Sequence, residues 1–166
     1  AVVEEVSPRS SDAIVAFGEL ASSRLVAAAL EDAGHASRCL DARAVLVTDG
    51  RHGAAVPDRE ATDERLRSLV QPLLAEGLVP VVGGFVGATP AGLTTTLGRG
   101  GSDFSAALFG AGLQADEIQI WTDVDGMLTA DPRMVAAPRV VPQLSFDEAS
   151  ELAYFGAKVL HPATIL

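Results

Sequence analysis

The chain has 166 residues, 48% of them hydrophobic and 20% charged, so it is long enough and apolar enough to form one globular domain with a sizeable core. Its formal net charge of −10 argues against nucleic acid or an anionic membrane as the main partner, since both favour a basic protein face. A single cysteine, Cys39, excludes an intramolecular disulfide, argues against a zinc site and fits a reducing, cytoplasmic setting.

The first part of the chain predicts a helix followed by a strand. Residues 21–34 predict a helix that ends at Gly34, and its apolar run LVAAAL, the longest in the chain, is too short to span a bilayer. Just before this helix, the FGEL stretch at 17–20 is interpreted as a functional loop beside an apolar run. Residues 37–40 predict a short strand.

A second helix and strand follow. The polar, turn-rich segment 48–63 predicts a surface loop. Residues 62–77 predict an amphipathic helix with Thr62 as its N-cap and a kink at Pro72. The continuous apolar run at 78–82 is typical of a strand buried on both faces of a parallel sheet.

The second half of the chain alternates in the same way. The capping-box residues Ser145 and Glu148 predict the start of a last helix. The predicted elements before it are a loop at 83–96, a helix at 102–113, a strand at 117–121 and a loop at 122–135.

This alternation of helices with apolar strands predicts an α/β fold with a mostly parallel sheet. In such folds the ligand lies beyond the carboxyl ends of the strands. The loops at 17–20, 83–87 and 122–126 each adjoin an apolar run, so they could converge on one site.

The LGRGGSD segment at 97–103 has the composition of an anion site. Its glycines let the backbone approach a ligand, and Ser102 can cap the following helix, whose first N–H groups attract an anion. Arg99 adds a fork that suits a carboxylate or a phosphate. Asp103 would repel an anion, so it makes sense if it faces a lysine or a hydroxyl group. The alternative is a glycine loop in which Asp103 only stabilises the helix start.

Three further side chains are functional candidates, and two of them also have a structural interpretation. Asp123, after a predicted strand, could accept hydrogen bonds from a nucleotide. Arg133 could reach a phosphate or only be solvated, and Lys158, on an apolar stretch, could hold a phosphate or extend to solvent. The Asp125-Gly126 pair is interpreted as a turn.

Glu19 and the histidines complete the candidates. Glu19 could bind a substrate ammonium group or act as an acid at a helix N-terminus. His35 and His52 are expected in loops without partners, and His161, before a proline, is expected to be structural. No histidine-based nucleophilic site is therefore predicted. An anion site without a nucleophile fits phosphoryl transfer, which depends mainly on positioning and electrostatics.

Four motifs taken together resemble aspartokinases, which have the amino-acid kinase fold, a three-layer α/β/α sandwich that would be incomplete in this chain. The resemblance is greatest to the monofunctional, lysine-sensitive type. It implies phosphorylation of the side-chain carboxylate of L-aspartate by Mg²⁺-ATP, the first step towards lysine, threonine and methionine. The motifs are TTTLGRGGSDFSAA at 94–107, IWTDVDG at 120–126, TADPR at 129–133 and ELAYFGAKVLHPATI at 151–165.

The resemblance also implies roles for individual residues. Asp103 would orient the catalytic lysine, and Arg99 would hold the substrate carboxylate during transfer. Leu128 stands where family members often carry a tyrosine beside the nucleotide. The implied substrate-binding residues are Glu19, Phe85, Arg99, Gly100, Gly101 and Ser102, and the implied ATP-binding residues are Thr122, Asp123, Leu128, Arg133, Lys158 and Val159.

The expected domain organisation follows from the same resemblance. Residues 1–166 would form part of a catalytic domain, without the family's N-terminal lysine- and glycine-containing segment and its C-terminal ACT regulatory domains. The parent protein would form a homo-oligomer. The alternatives are a kinase of the same fold that acts on glutamate, acetylglutamate, carbamate or UMP, a nucleotide- or amino-acid-binding module without catalysis, and a structural fragment with an incomplete core.

Overall fold

The computed structural model describes residues 6–122, 126–130 and 134–154. Both helices and short strands occur along this part of the chain, as the sequence predicts, but the alternation is incomplete, since three strands follow one another between positions 79 and 96. The elements are α1 (Pro8–Asp32), β1 (Ser37–Leu40), α2 (Ala42–Val45), α3 (Arg59–Arg65), a π-helical segment (Leu66–Val70), α4 (Gln71–Ala75), β2 (Val79–Val82), β3 (Val86–Ala88), β4 (Thr94–Thr96), α5 (Gly101–Gly112) and α6 (Phe146–Tyr154).

The strands form one parallel and one antiparallel pair. β1 pairs with β2 in parallel, from Ser37 opposite Val79 onwards, which confirms both predicted strands and the α/β class. The prediction that the second strand is buried on both faces is wrong for the described residues, since Val79 is exposed and the rest of β2 is half-buried. β3 and β4 form an antiparallel hairpin. The prediction of a loop throughout 83–96 is therefore wrong, because each hairpin strand has only three residues. The β-branched run Thr94–Thr96 was the signal for a strand.

Helix α1 is much longer than predicted, and residues 17–20 lie inside it rather than in a loop. Ser7 caps the helix by accepting from the Ser10 N–H at 3.1 Å, and Pro8 fits its first position. The prediction missed three turns because the buried face of α1 includes polar and small side chains, which hide the apolar period. The buried residues are Asp12, Ala16, Leu20, Ser23 and Ala27.

By length and hydropathy alone, α1 is the one helix in the described part of the chain that could cross a membrane. Such a finding is weak, because core helices of soluble proteins pass the same test. Here α1 packs against β1, β2 and β4, as the helical layer of an α/β domain does.

The helix predicted at 62–77 is divided into three pieces, and its start differs from the prediction. Asp58, not Thr62, is the N-cap, since its carboxylate accepts from the Ala61 N–H at 3.1 Å. Thr62 is buried one turn further on, where its hydroxyl oxygen accepts from the Val47 N–H at 3.2 Å. The π-helical segment ends at Val70, two residues before Pro72, which confirms that the helix is irregular near this proline.

The segment 48–63 is only partly a surface loop. Thr48 and Ala55 are buried, and the Thr48 hydroxyl lies 2.6 Å from the Thr95 hydroxyl on β4. Ala55 also donates its N–H to the carbonyl oxygen of Thr96 at 2.9 Å. The surface-loop prediction is wrong at these residues, because contacts between distant segments leave no local sequence signal.

The predictions for the second half of the chain are only partly confirmed. The helix predicted at 102–113 is confirmed as α5, but Gly100, in the left-handed region with φ of 72°, is its N-cap instead of Ser102. The strand predicted at 117–121 is wrong, because among the described residues no backbone hydrogen bonds pair this segment with another strand, and Trp121 there is 90% exposed. The capping box of α6 is confirmed, because the Ser145 N–H donates to Glu148 at 2.8 Å and lowers the pKa of its carboxyl group.

Two small apolar clusters among the described residues hold these helices and strands together. The first joins α1 and α2 to the hairpin through Ala16, Ala42 and Val86. The second places Val45 of α2 against Leu66 and Val70 of the π-helical segment. Phe85 packs against the first cluster and Phe109 of α5 against the second, so the loop after β2 and α5 are both anchored to the core.

The pair of Asp41 and Arg43 predicts a small acid sensitivity of folding. The Arg43 guanidinium, hydrogen-bonded to Asp41 at 2.5 Å, lowers the pKa of this carboxyl group, which is 33% exposed. A lowered folded-state pKa stabilises the fold above the unfolded pKa, and the stabilisation is lost as the pH falls through the folded-state value. We expect Asp41→Asn to remove less than about 1 kcal/mol of this pH-dependent stability. Urea unfolding at pH 7 and near pH 3 measures it, and equal pH dependence in both proteins would contradict it.

Candidate functional site

A strained loop follows β2. Phe85 has φ of 67°, which is unusual for a bulky residue, and the Val86 N–H donates to the Gly84 carbonyl oxygen at 2.7 Å across it. The surroundings fix this turn, since the Phe85 N–H donates to the Ser105 hydroxyl at 3.1 Å. Ser105 in turn donates to the Ser102 carbonyl oxygen at 2.8 Å. Strain held in this way is typical of ligand-binding sites.

The loop, α1 and the start of α5 approach one another closely at glycines. A Cβ atom on Gly84 would lie 3.0 Å from the Ser102 Cα atom, and one on Gly101 would lie 3.0 Å from the Phe85 ring. A Cβ atom on Gly83 would lie 3.3 Å from the Glu19 carbonyl oxygen. We call this meeting point the glycine junction; it comprises Glu19, residues 83–85 and residues 100–103.

The glycine junction carries charges that are available to a ligand. In the part of the chain that the structure describes, the side chains of Glu19, Arg99 and Asp103 make no hydrogen bond or ion pair. Arg99 is exposed, whereas Glu19 and Asp103 are half-buried. Among the described residues, the N–H groups of Ser102 and Asp103 also have no acceptor, as expected in the first turn of a helix. The junction therefore offers two carboxylates and free amide donors, and the adjacent Arg99 adds one cation.

Most of the candidate substrate residues thus lie together. Glu19, Phe85, Gly100, Gly101 and Ser102 belong to the glycine junction, and Arg99 immediately precedes it. Glu19 lies within α1, so the interpretation of this residue as an acid at a helix N-terminus is wrong.

The nucleotide candidates are only partly described. Thr122 is exposed, and half-buried Leu128 forms an isolated antiparallel bridge with Val140. Gly126 has φ of 139°, so it can occupy a turn. The other predicted residues of this group, Asp123, Asp125, Arg133, Lys158, Val159 and His161, lie outside the described residues.

The sequence analysis missed one polar group beside the site. Asp12 is 2% exposed, and its carboxylate lies 2.7 Å from the Nδ1 atom of His52. The expectation that His52 has no partner is therefore wrong. An aspartate among the small residues of a helix face was the available signal, because a buried charge requires partners.

The close approach at Gly84 predicts a local steric sensitivity. In Gly84→Ala the new Cβ atom would lie 2.9 Å from the Ser105 hydroxyl and 3.0 Å from the Ser102 backbone, so we expect a loss of about 1–3 kcal/mol in the free energy of unfolding. The matched control is Gly18→Ala on α1, where the new Cβ atom would have no described atom within 4 Å apart from the local helix backbone, and where alanine favours the helix. Thermal unfolding compares them, and equal melting temperatures would contradict the expected clash.

A glycine-rich loop that meets a helix N-terminus beside the end of a parallel strand is the arrangement with which many α/β proteins bind anions. The chain belongs to the amino acid kinase family, because the sequence model of this family matches residues 2–166. This membership confirms the predicted fold class.

Aspartokinases are among the similar proteins. The lysine-sensitive aspartokinase 3 of Escherichia coli is 46% identical over 96% of this chain, and the aspartokinase of Schizosaccharomyces pombe is 42% identical over 99%. The crystal structure of E. coli aspartokinase III in complex with aspartate and ADP superposes with a TM-score of 0.92 at 45% identity, covering 98% of this chain and 36% of that one. The chain matches 35% and 31% of the lengths of the two curated relatives, about a third of each.

Proposed function

We propose that the full-length protein transfers the γ-phosphoryl group of ATP to the side-chain carboxylate of L-aspartate, giving 4-phospho-L-aspartate and ADP. The observation that carries this proposal is the TM-score of 0.92 to an enzyme described in complex with aspartate and ADP. The glycine junction and Arg99 support it, because Arg99 and the free N–H groups suit the carboxylates of an amino acid and Glu19 suits its ammonium group.

The amino acid would be held from two sides of the junction. Arg99 and the free N–H groups of Ser102 and Asp103 would bind carboxylate oxygens, while Glu19 would bind the ammonium group. Phe85, Gly100 and Gly101 would form the wall of the pocket. These contacts orient the acceptor carboxylate for in-line attack on phosphorus, a step that needs no protein nucleophile.

The nucleotide would bind through the later part of the chain. The proposed ATP residues are Thr122, Asp123, Leu128, Arg133, Lys158 and Val159. Mg²⁺ would arrive with the nucleotide, because this ion is usually held by phosphate oxygens and water with few protein ligands. When bound, it would neutralise charge on the phosphates. We also propose that residues 1–166 form part of the catalytic domain of a cytoplasmic homo-oligomer.

The test is acyl-phosphate trapping with hydroxylamine, using the full-length protein, Mg²⁺-ATP and L-aspartate. We expect hydroxamate to form only when aspartate and ATP are both present. ADP release is measured in parallel with glutamate, acetylglutamate, carbamate and UMP as acceptors. Faster turnover of one of these would assign another kinase of the same family, and ATP binding without turnover of any acceptor would overturn the kinase proposal.

A further inference from the structure

Asp12 forms a buried polar cluster that joins three distant segments. Its carboxylate accepts from the Thr96 hydroxyl at 2.6 Å and from the Gly53 N–H at 3.1 Å, and it lies 2.7 Å from His52. We call these four residues, Asp12, His52, Gly53 and Thr96, the Asp12 clasp. With its side chain 3% exposed, Asp12 is held by several donors at once, so its position is strongly determined.

The Asp12 clasp supports the loop that carries Arg99. Thr96 is the last residue of β4, so the hydroxyl bound to Asp12 is three residues from Arg99. On the other side, a Cβ atom on Gly98 would lie 2.8 Å from the Gly53 carbonyl oxygen, so the loop lies directly on the turn that Asp12 binds. Residues 97–100 are thus fixed at their start by the hydrogen bond of Thr96, and Gly98 packs against Gly53.

The same helix that provides Asp12 also provides Glu19. The two residues are seven positions apart on α1, which is about two helical turns and places them on similar faces. The helix therefore fixes Glu19, and the clasp fixes the Arg99 loop to that helix. The helix and the clasp together fix the distance between Glu19, which would bind the substrate ammonium group, and Arg99, which would bind a substrate carboxylate.

We propose that Asp12 is a positioning residue that holds Arg99 at its working distance from Glu19 and so sets the affinity for the amino-acid substrate. This inference rests on the proposed function of the glycine junction. Asp12 itself touches no substrate. Loss of the clasp should weaken aspartate binding while leaving ATP binding almost unchanged, because the nucleotide would be held by residues after position 121.

Two adjacent threonines provide a matched pair for the test. Thr96→Val removes the hydroxyl that binds Asp12, whereas Thr95→Val removes an equally buried hydroxyl that binds Thr48 at 2.6 Å and leaves the clasp intact. In the full-length protein we expect Thr96→Val to raise the KM for aspartate about tenfold, with a KM for ATP within about twofold of wild type. Thr95→Val should leave both values near wild type, and Thr96→Ser should restore the KM for aspartate.

The Arg99→Ala variant and its combination with Thr96→Val distinguish failure of the clasp proposal from failure of the proposed site. If the clasp acts through Arg99, Thr96→Val raises the KM for aspartate in the wild-type background but has little further effect in Arg99→Ala. If Thr96→Val and Thr95→Val behave alike while Arg99→Ala weakens aspartate binding, the clasp proposal fails and the proposed site stands. If Arg99→Ala leaves aspartate binding unchanged, the proposed site and the clasp proposal both fail. Should Thr96→Val not fold, His52→Phe removes another partner of Asp12 and is judged by the same measurements.

Discussion

Replacement of Asp103 by alanine is expected to lower kcat for aspartate phosphorylation about a hundredfold or more, with little change in the KM for ATP. Asp103 lies in the first turn of α5, half-buried, and its side chain has no partner among the described residues. A carboxylate beside a site for anionic substrates raises their energy unless a cation faces it. The proposed role of Asp103 is to orient a catalytic lysine. The alanine variant would then lose a contact that stabilises the transition state, so kcat should fall.

The competing interpretation of Asp103 is that it only stabilises the start of α5 through the helix dipole. Asp147 provides a matched control, because it lies in the first turn of α6 and does not belong to the glycine junction. Asp147→Ala should have a similar small effect on stability and no effect on kcat. Asp103→Asn keeps the size of the side chain, and we expect it to be nearly as slow as alanine. Near-normal turnover in both Asp103 variants would refute the proposed role.

The elements that the sequence predicted well are those with a strong local signal. The strand at Ser37–Leu40, the helix after the glycine loop and the capping box at Ser145 each depend on a few adjacent residues. Helix α1 was only half predicted, since Asp12 interrupts the apolar face of its first half. The hairpin was missed because its strands are short and are defined by pairing with each other.

The candidate site likewise has a part that could be predicted from the sequence and a part that could not. The glycines, Arg99 and Asp103 are adjacent in sequence, so their chemistry could be predicted from the segment alone. The Asp12 clasp joins positions that are 40 and 84 residues apart, and no local pattern indicates such a contact. A buried carboxylate must be neutralised or hydrogen-bonded, so the burial of Asp12, which only the structure shows, requires partners. Only the structure identifies the partners as Thr96, His52 and Gly53.

Arg99→Ala is expected to raise the KM for aspartate about ten- to a hundredfold while kcat falls less. A hydrogen bond to a charged group contributes about 1.5–3 kcal/mol, and the arginine fork can make two such bonds to one carboxylate. Arg99 is exposed and unpaired among the described residues, so its removal leaves no protein carboxylate without a partner. The effect should therefore fall on substrate binding, with little change in the free energy of unfolding.

Two further variants decide whether the geometry or only the charge of Arg99 matters. Arg99→Lys keeps the charge but loses the fork, and we expect it to recover only part of the affinity for aspartate. Arg67→Ala removes an exposed arginine from the π-helical segment and controls for the change in net charge. Steady-state kinetics with aspartate varied at saturating ATP measures all three. A lysine variant equal to wild type would show that Arg99 acts only as a charge, and an alanine variant with unchanged KM would exclude Arg99 from the substrate site.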